Sequence, residues 1–237
     1  MATSVRVPGF VPSVNGLRFI NSFPQEPAIA VHSALGTIPI GDASNGLCGG
    51  MVFTTRDVFQ TAGMAPLTID GPPGPDTPLY HYLVQRLVDS FDLGHAGFMK
   101  YYDWMITPDG DTSWAFFTRR GLAWKTIQNE FPGIKRELNA GRTVALGLIT
   151  TNSPDPTHIG LNHQVLAYGY DLDGTELTVW VYDPNTPSSS ADTVKISLDT
   201  SNPTQPTPIT HNVGVNEPIR GFFKVGYKYD DPSALAG

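Results

Sequence analysis

Cysteine is almost absent from the sequence: Cys48 is the only one in 237 residues. An internal disulfide framework and a structural zinc site built on several thiolates are therefore excluded. Long hydrophobic runs are also lacking, since the longest apolar stretch, TVALGLI at 143–149, is far too short to cross a membrane. The first residues contain no continuous apolar segment of the kind found in secretory signals. We expect no membrane insertion, and a protein that is cytoplasmic or exported without a cleavable signal peptide.

Positive charge is scarce as well, with 15 Lys and Arg against 22 Asp and Glu and a formal net charge of -7. Such a chain lacks the basic surface that binds phosphates, so nucleic acid is not an expected partner. Glycine and proline cluster at 70–78 and 199–208, where they predict exposed loops. We find no internal repeat, and we interpret residues 1–237 as one domain with a sizeable core.

The hydrophobic pattern predicts helices in the first half of the chain and strands in the second. Helical spacing begins at Cys48 and recurs at 79–91, at 114–131 and between Pro132 and Gly141. Strand-like alternation follows at 143–150, 163–170, 176–183, 193–198 and 221–229. The pattern indicates an α+β fold, with a helix-rich part at about 45–141 and a β-rich part at about 142–230 plus the N-terminal segment. On the predicted 114–131 helix, we expect core or cleft-wall positions for its aromatic residues, Trp114, Phe116, Phe117 and Trp124.

The stretch NGLCGGMVF, residues 45–53, places Cys48 at the predicted start of a helix. A helix N-terminus and a nearby imidazolium both favour the thiolate, which is the nucleophilic form of cysteine. Gly49 and Gly50 have no side chains to obstruct an approaching carbonyl. The Cys48 backbone N–H is in place to bind a developing oxyanion.

Residues 162–185, NHQVLAYGYDLDGTELTVWVYDPN, predict an antiparallel hairpin around DLDG. Pairing Tyr170 with Glu176 would place His163 opposite Asp183, where the carboxylate would orient the imidazole. A slip of one residue would separate them, so this register is a hypothesis. Asn185 competes with Asp183 as the orienting group, but Pro184 favours Asp183 because proline tends to end a strand.

These motifs together resemble the papain-like cysteine peptidases, and most closely the bacterial branch related to bacteriocin-processing peptidases. The resemblance implies a papain-like fold, with a helical N-terminal half packed on a C-terminal antiparallel sheet or half-barrel and the site in the cleft between them. It makes Cys48 the nucleophile, His163 the general base and acid, and Asp183 the orienting group. The implied activity is hydrolysis or acyl transfer at an amide bond of a peptide or other amide-bearing substrate, without a cofactor.

One position departs from the family pattern, which has a glutamine about six residues before the cysteine as an oxyanion donor. Here that position is Asp42, whose ionised carboxylate cannot donate a hydrogen bond, and the Asn45 amide is the nearest replacement. The alternative interpretation is therefore a catalytically silent papain-like fold that acts as a binding module or effector. We interpret DLDG at 171–174 and DGD at 109–111 as turns rather than calcium loops, and no metal is expected.

Overall fold

The strand-forming sequence of the second half builds a curled antiparallel half-barrel sheet in the computed structural model, which describes residues 2–23, 29–33, 36–40, 47–91, 97–115 and 117–235. The strands of this sheet are β1 (Thr3–Arg6), β6 (Val144–Ile149), β7 (His163–Asp173), β8 (Glu176–Tyr182), β9 (Lys195–Asp199), β10 (Thr210–His211) and β11 (Gly221–Lys224). Two separate hairpins comprise β2 (Ile29–Ser33) with β3 (Gly36–Ile40), and β4 (Thr112–Trp114) with β5 (Phe117–Arg119). The α+β class is as predicted.

The sheet order is β10-β9-β8-β7-β6-β11, and β1 pairs with β7 as well. All five predicted strand segments are confirmed as β6, β7, β8, β9 and β11. The β7–β8 hairpin turns through Gly174, whose φ of +59° suits a residue without Cβ. Strand β6 is buried along its whole length, so it forms the centre of the β-rich half.

The helices are α1 (Pro12–Asn15), α2 (Cys48–Gln60), α3 (Pro78–Ser90), α4 (Gly97–Met105), α5 (Leu122–Trp124) and α6 (Phe131–Asn139). Short 3₁₀ turns cover Pro156–Leu161, Ala191–Thr193 and Pro232–Leu235. The predicted helices beginning at Cys48 and near residue 79 are confirmed. The second has a defined start, since the Thr77 side chain accepts a hydrogen bond from the Tyr80 N–H and Pro78 occupies the first turn.

Helix α2 lies at the centre of the molecule, packed against α3 on one side and β7 on another. Its close approach to α3 depends on Gly50, because a Cβ at that position would lie 2.0 Å from the Leu83 carbonyl oxygen. Apolar side chains of α2, α3 and α4 join those of β6, β7 and β8 in one continuous hydrophobic core. This core holds the N-terminal end of α2 next to the first residues of β7.

The predicted helix at 114–131 is wrong in its first half, where the chain forms the β4–β5 hairpin. Trp, Phe and Thr favour extended backbone there, and Asp111 accepts a hydrogen bond from the Gly121 N–H instead of capping a helix at 114. The helix begins at Leu122 and passes through a π-helical segment, Lys125–Glu130, into α6. That segment precedes Pro132, which has no N–H to donate to a regular helix.

The aromatic side chains of this hairpin are not core residues, contrary to the prediction. Trp114 and Phe117 face each other across the two strands and are 83% and 76% exposed. Trp124 is half-buried on α5, and Phe116 lies outside the described residues. Within the part of the chain that the structure describes, none of the helices has the length and apolar character needed to span a bilayer.

Candidate active site

Cys48 is the first residue of α2, and its surroundings are fixed by contacts on the residue before it. The Leu47 N–H donates to Asn21 Oδ1 at 2.6 Å, and Asn21 Nδ2 donates to Asn185 Oδ1 at 3.0 Å. Asn21 therefore ties the start of α2 to the loop that follows β8. Nothing in the local pattern around Asn21 connects it with a residue 26 positions later, so its role is visible only in the structure.

His163 begins β7, and its Nε2 lies 2.7 Å from Asp183 Oδ1. Both residues are buried, at 4% and 0% exposure. Asp183 has further donors on both oxygens, namely the backbone N–H groups of Asn185 and Gly214 and the Thr186 hydroxyl. Burial alone would raise the pKa of Asp183, but His163 and the backbone donors lower it to about 2. The carboxylate is therefore held ionised against the ring.

The predicted hairpin register is wrong, although the predicted contact between His163 and Asp183 is present. Tyr170 pairs with Val179 rather than Glu176, and the pairing shifts by one residue between Ala167 and Gly169. On the N-terminal side of that irregularity in β7, Leu166 pairs with Tyr182. If this register continued by one residue, Asp183 would lie opposite residue 165. Asp183 therefore reaches His163 diagonally, across two residues of β7. Diagonal neighbours share a face of the sheet, which allows the hydrogen bond to form.

Cys48 is one of the groups that act on the His163 ring. Burial lowers the pKa of His163, but the hydrogen bond to Asp183 and the Cys48 thiol outweigh it and raise the pKa well above its ordinary value. Asp183 engages Nε2, so Nδ1 is the ring nitrogen that the carboxylate leaves open. The structure thus brings His163 and Asp183 into direct contact, and the start of α2 carries Cys48 into their neighbourhood.

Asn185, the competing third member, is engaged elsewhere. Its Oδ1 accepts from Asn21, and its Nδ2 donates to the Gly214 carbonyl at 3.0 Å. Its backbone N–H donates to Asp183 Oδ1 at 3.0 Å. Asn185 therefore supports the carboxylate and does not contact the imidazole.

Gly49 and Gly50 are both buried, and a Cβ on Gly49 would lie 2.3 Å from Ser90 Oγ and 2.8 Å from Gln164 Nε2. The glycines therefore allow α2 to pack closely on α3 and β7. Their part in leaving an approach open for a carbonyl stays a prediction. Of the predicted oxyanion groups, Asp42 and Asn45 lie outside the described residues. The Cys48 N–H, as the first in its helix, has no intrahelical acceptor.

The two acidic turns have structural partners. Asp171 accepts from Arg6, Ser4 and the Trp180 indole, and Asp111 pairs with Arg120. In the described residues, there is no group of three or more His, Cys, Asp or Glu side chains placed to hold a metal ion.

Comparison with protein-family models, curated proteins and solved structures gives no match to this chain. The site must therefore be judged by its own residues: a buried imidazole bonded to a carboxylate, with the only cysteine of the chain among the groups that raise the pKa of the imidazole.

Proposed function

We propose that the protein is a thiol-dependent hydrolase or acyltransferase of papain-like fold that acts on an amide bond through Cys48, His163 and Asp183. The observation that carries the proposal is the hydrogen bond of 2.7 Å between the buried side chains of His163 and Asp183, and Cys48 is among the groups that raise the pKa of the same imidazole. A serially arranged nucleophile, base and orienting group is the usual arrangement for covalent catalysis.

In the proposed reaction, the Cys48 sulfur attacks the carbonyl carbon, and His163 holds the proton that the thiol has lost. The Cys48 N–H stabilises the oxyanion of the tetrahedral intermediate. The C–N bond then breaks, His163 gives the proton to the leaving amine, and an acyl-thioester remains on Cys48. Water attacks this thioester in hydrolysis, while an entering amine attacks it in transfer, and His163 accepts the proton in either case.

Labelling with a panel of peptide vinyl sulfones and acyl probes tests the proposal. The wild type should be modified at one site, and Cys48→Ala should not be labelled at all. Labelling that persists in Cys48→Ala would remove Cys48 from the mechanism.

Two further variants test the choice of orienting group. Asp183→Ala should slow labelling of Cys48 by about a hundredfold or more, because no acceptor then orients the imidazole. Asn185→Ala should retain labelling within about tenfold, since Asn185 acts only on the carboxylate. The reverse ranking would make Asn185 the third member.

The burial of Cys48, at 8% exposure, favours the second candidate, a catalytically silent papain-like fold that binds a partner. The same labelling experiment separates the two functions. A folded wild type that no probe modifies, and whose thiol reacts with iodoacetamide only at alkaline pH, would support the silent fold.

A further inference from the structure

A buried polar contact between Gln164 and Ser90 involves the chain neighbour of His163 and packs against the chain neighbour of Cys48. Gln164 follows His163, and its Nε2 donates to Ser90 Oγ at 3.0 Å. Gly49 follows Cys48, and its Cα lies so close to both groups that an added Cβ would overlap them. Ser90 and Gln164 are 0% and 2% exposed.

The position of this contact follows from the secondary structure. Successive residues of a strand point to opposite faces, so Gln164 points away from the Asp183 side of β7 while His163 points towards it. Ser90 is the last residue of α3, and its hydroxyl donates to the Leu87 carbonyl at 2.8 Å, which fixes it on the end of that helix. Three elements, α2, α3 and β7, therefore meet at one serine hydroxyl.

A buried amide is retained at a cost. Gln164 Oε1 is buried without a hydrogen-bond partner, and so is the Tyr101 hydroxyl. Apolar side chains of similar size at both Gln164 and Ser90 would remove the orphan oxygen, and such a double replacement costs a fold little. Packing alone does not explain a glutamine at this position.

We propose that Gln164 and Ser90 are positioning residues, which set the distance between the Cys48 sulfur and the His163 ring by fixing the start of α2 against the start of β7. This inference rests on the proposed function. The hydrogen bond between them fixes the two side chains that Gly49 contacts. Without it, the first turn of α2 gains freedom to move relative to the imidazole, and the sulfur loses its charged neighbour.

The test is the rate of alkylation of Cys48 by iodoacetamide as a function of pH, measured on Gln164→Met and Ser90→Ala beside the wild type. If Cys48 acts as the proposed function requires, alkylation of the wild type should stay fast down to about pH 6. In each variant, we expect the rate at that pH to fall by about 10- to 100-fold, because a shift of about an ångström is sufficient for such a loss. At alkaline pH, where any thiol is ionised, the rates should converge.

Tyr170→Phe is the matched control. It also removes one side-chain hydrogen bond from β7, the part-buried bond of the Tyr170 hydroxyl to Asn139 Oδ1 at 2.9 Å, but at a distance from the site. Its alkylation profile should equal that of the wild type, so a change seen only in the two positioning variants cannot be general loosening. Ser90→Ala removes a single oxygen and remains usable if Gln164→Met does not fold.

The outcomes distinguish the two proposals. Wild-type alkylation that is fast at about pH 6, with the same profile in Gln164→Met and Ser90→Ala, would overturn the positioning role and leave the proposed function intact. A wild type that reacts only at alkaline pH would overturn the proposed function and this inference together.

Discussion

Among the described residues, two carboxylates are fully buried, Asp183 in the candidate site and Asp57 in the last turn of α2, and their surroundings differ in kind. Asp57 accepts from Arg86 Nε at 2.7 Å, from the Tyr227 hydroxyl at 2.6 Å and from the Tyr82 hydroxyl at 3.0 Å. Arg86 in turn donates to the Lys228 carbonyl. The Asp57 cluster therefore fastens the C-terminal segment onto α2 and α3.

The two acids respond to burial in opposite directions. For Asp57, burial raises the pKa by more than Tyr227 and Arg86 lower it, whereas for Asp183 the donors prevail over burial. The pKa of Arg86 is raised by Asp57 and Asp89 against the effect of its own burial, so the arginine stays charged. Of the two groups, Asp57 is the one whose charged form burial disfavours overall.

The comparison shows that a buried ion pair does not by itself mark a reactive site. The partner of Asp57 is a guanidinium, which does not release its proton in proteins. The partner of Asp183 is an imidazole, which exchanges protons and has a sulfhydryl beside it. The expected roles are therefore a structural clamp around Asp57 and a proton-transfer site around Asp183.

Asp57→Asn should give the largest loss of stability. It leaves the Arg86 charge buried with only Asp89 to balance it, so we expect the free energy of unfolding to fall by about 3 to 5 kcal/mol. Urea denaturation measures the loss. The alkylation profile of Cys48 should not change while the protein is folded. A loss under about 1 kcal/mol would show that Asp57 is not a clamp.

The His163–Asp183 pair should instead be visible in the pH dependence of stability. The folded-state pKa of Asp183 is lowered from 3.8 to about 2, so its contribution is present above the unfolded value and is lost as the pH falls through about 2. The folded-state pKa of His163 is raised, so its contribution is complete below its unfolded value of 6.5 and is lost as the pH rises towards the raised value.

Chemical denaturation of the wild type and His163→Gln at a series of pH values measures this contribution. The stability difference should be largest between about pH 4 and pH 6.5 and amount to about 2 kcal/mol. It should decrease on both sides of that interval. A difference that does not vary with pH would mean that the pair carries no charge.

Tyr101→Phe should have the smallest effect and sharpens the contrast between satisfied and unsatisfied polar groups. The hydroxyl is buried without a hydrogen-bond partner, so its removal should leave the free energy of unfolding unchanged or raise it by up to about 1 kcal/mol. Tyr170→Phe, which does lose a hydrogen bond, should lower stability by about 1 kcal/mol. Equal losses in the two variants would show that the Tyr101 hydroxyl is bonded to Gln164.

Local pattern was a good guide where an element is deeply buried. The apolar residues in 143–150, in 163–170 and after Cys48 predicted β6, β7 and α2, because burial along most of an element requires apolar or small side chains there. The pattern misled at Trp114 and Phe117, which are exposed on a short hairpin where burial does not constrain the sequence.

In the site, the order of three residue types along the chain was sufficient to choose Cys48, His163 and Asp183 as candidates. The register that was to bring two of them together was not predicted correctly, because the irregularity between Ala167 and Gly169 has no distinct sequence signal. Asn21, Ser90 and Gln164 were missed for a related reason. Their partners are far away in sequence. Asn21 binds the Leu47 N–H, and Ser90 and Gln164 bind each other beside Gly49.

The sequence by itself determined the identities of the reactive groups and the elements that bear them, because nucleophilicity, basicity and hydrophobic period belong to residues and their near neighbours. Only the tertiary structure decided that an imidazole reaches a carboxylate diagonally, and that two glycines serve helix packing. Those outcomes depend on how separate elements come within a few ångströms of each other, and packing of the whole chain fixes such distances.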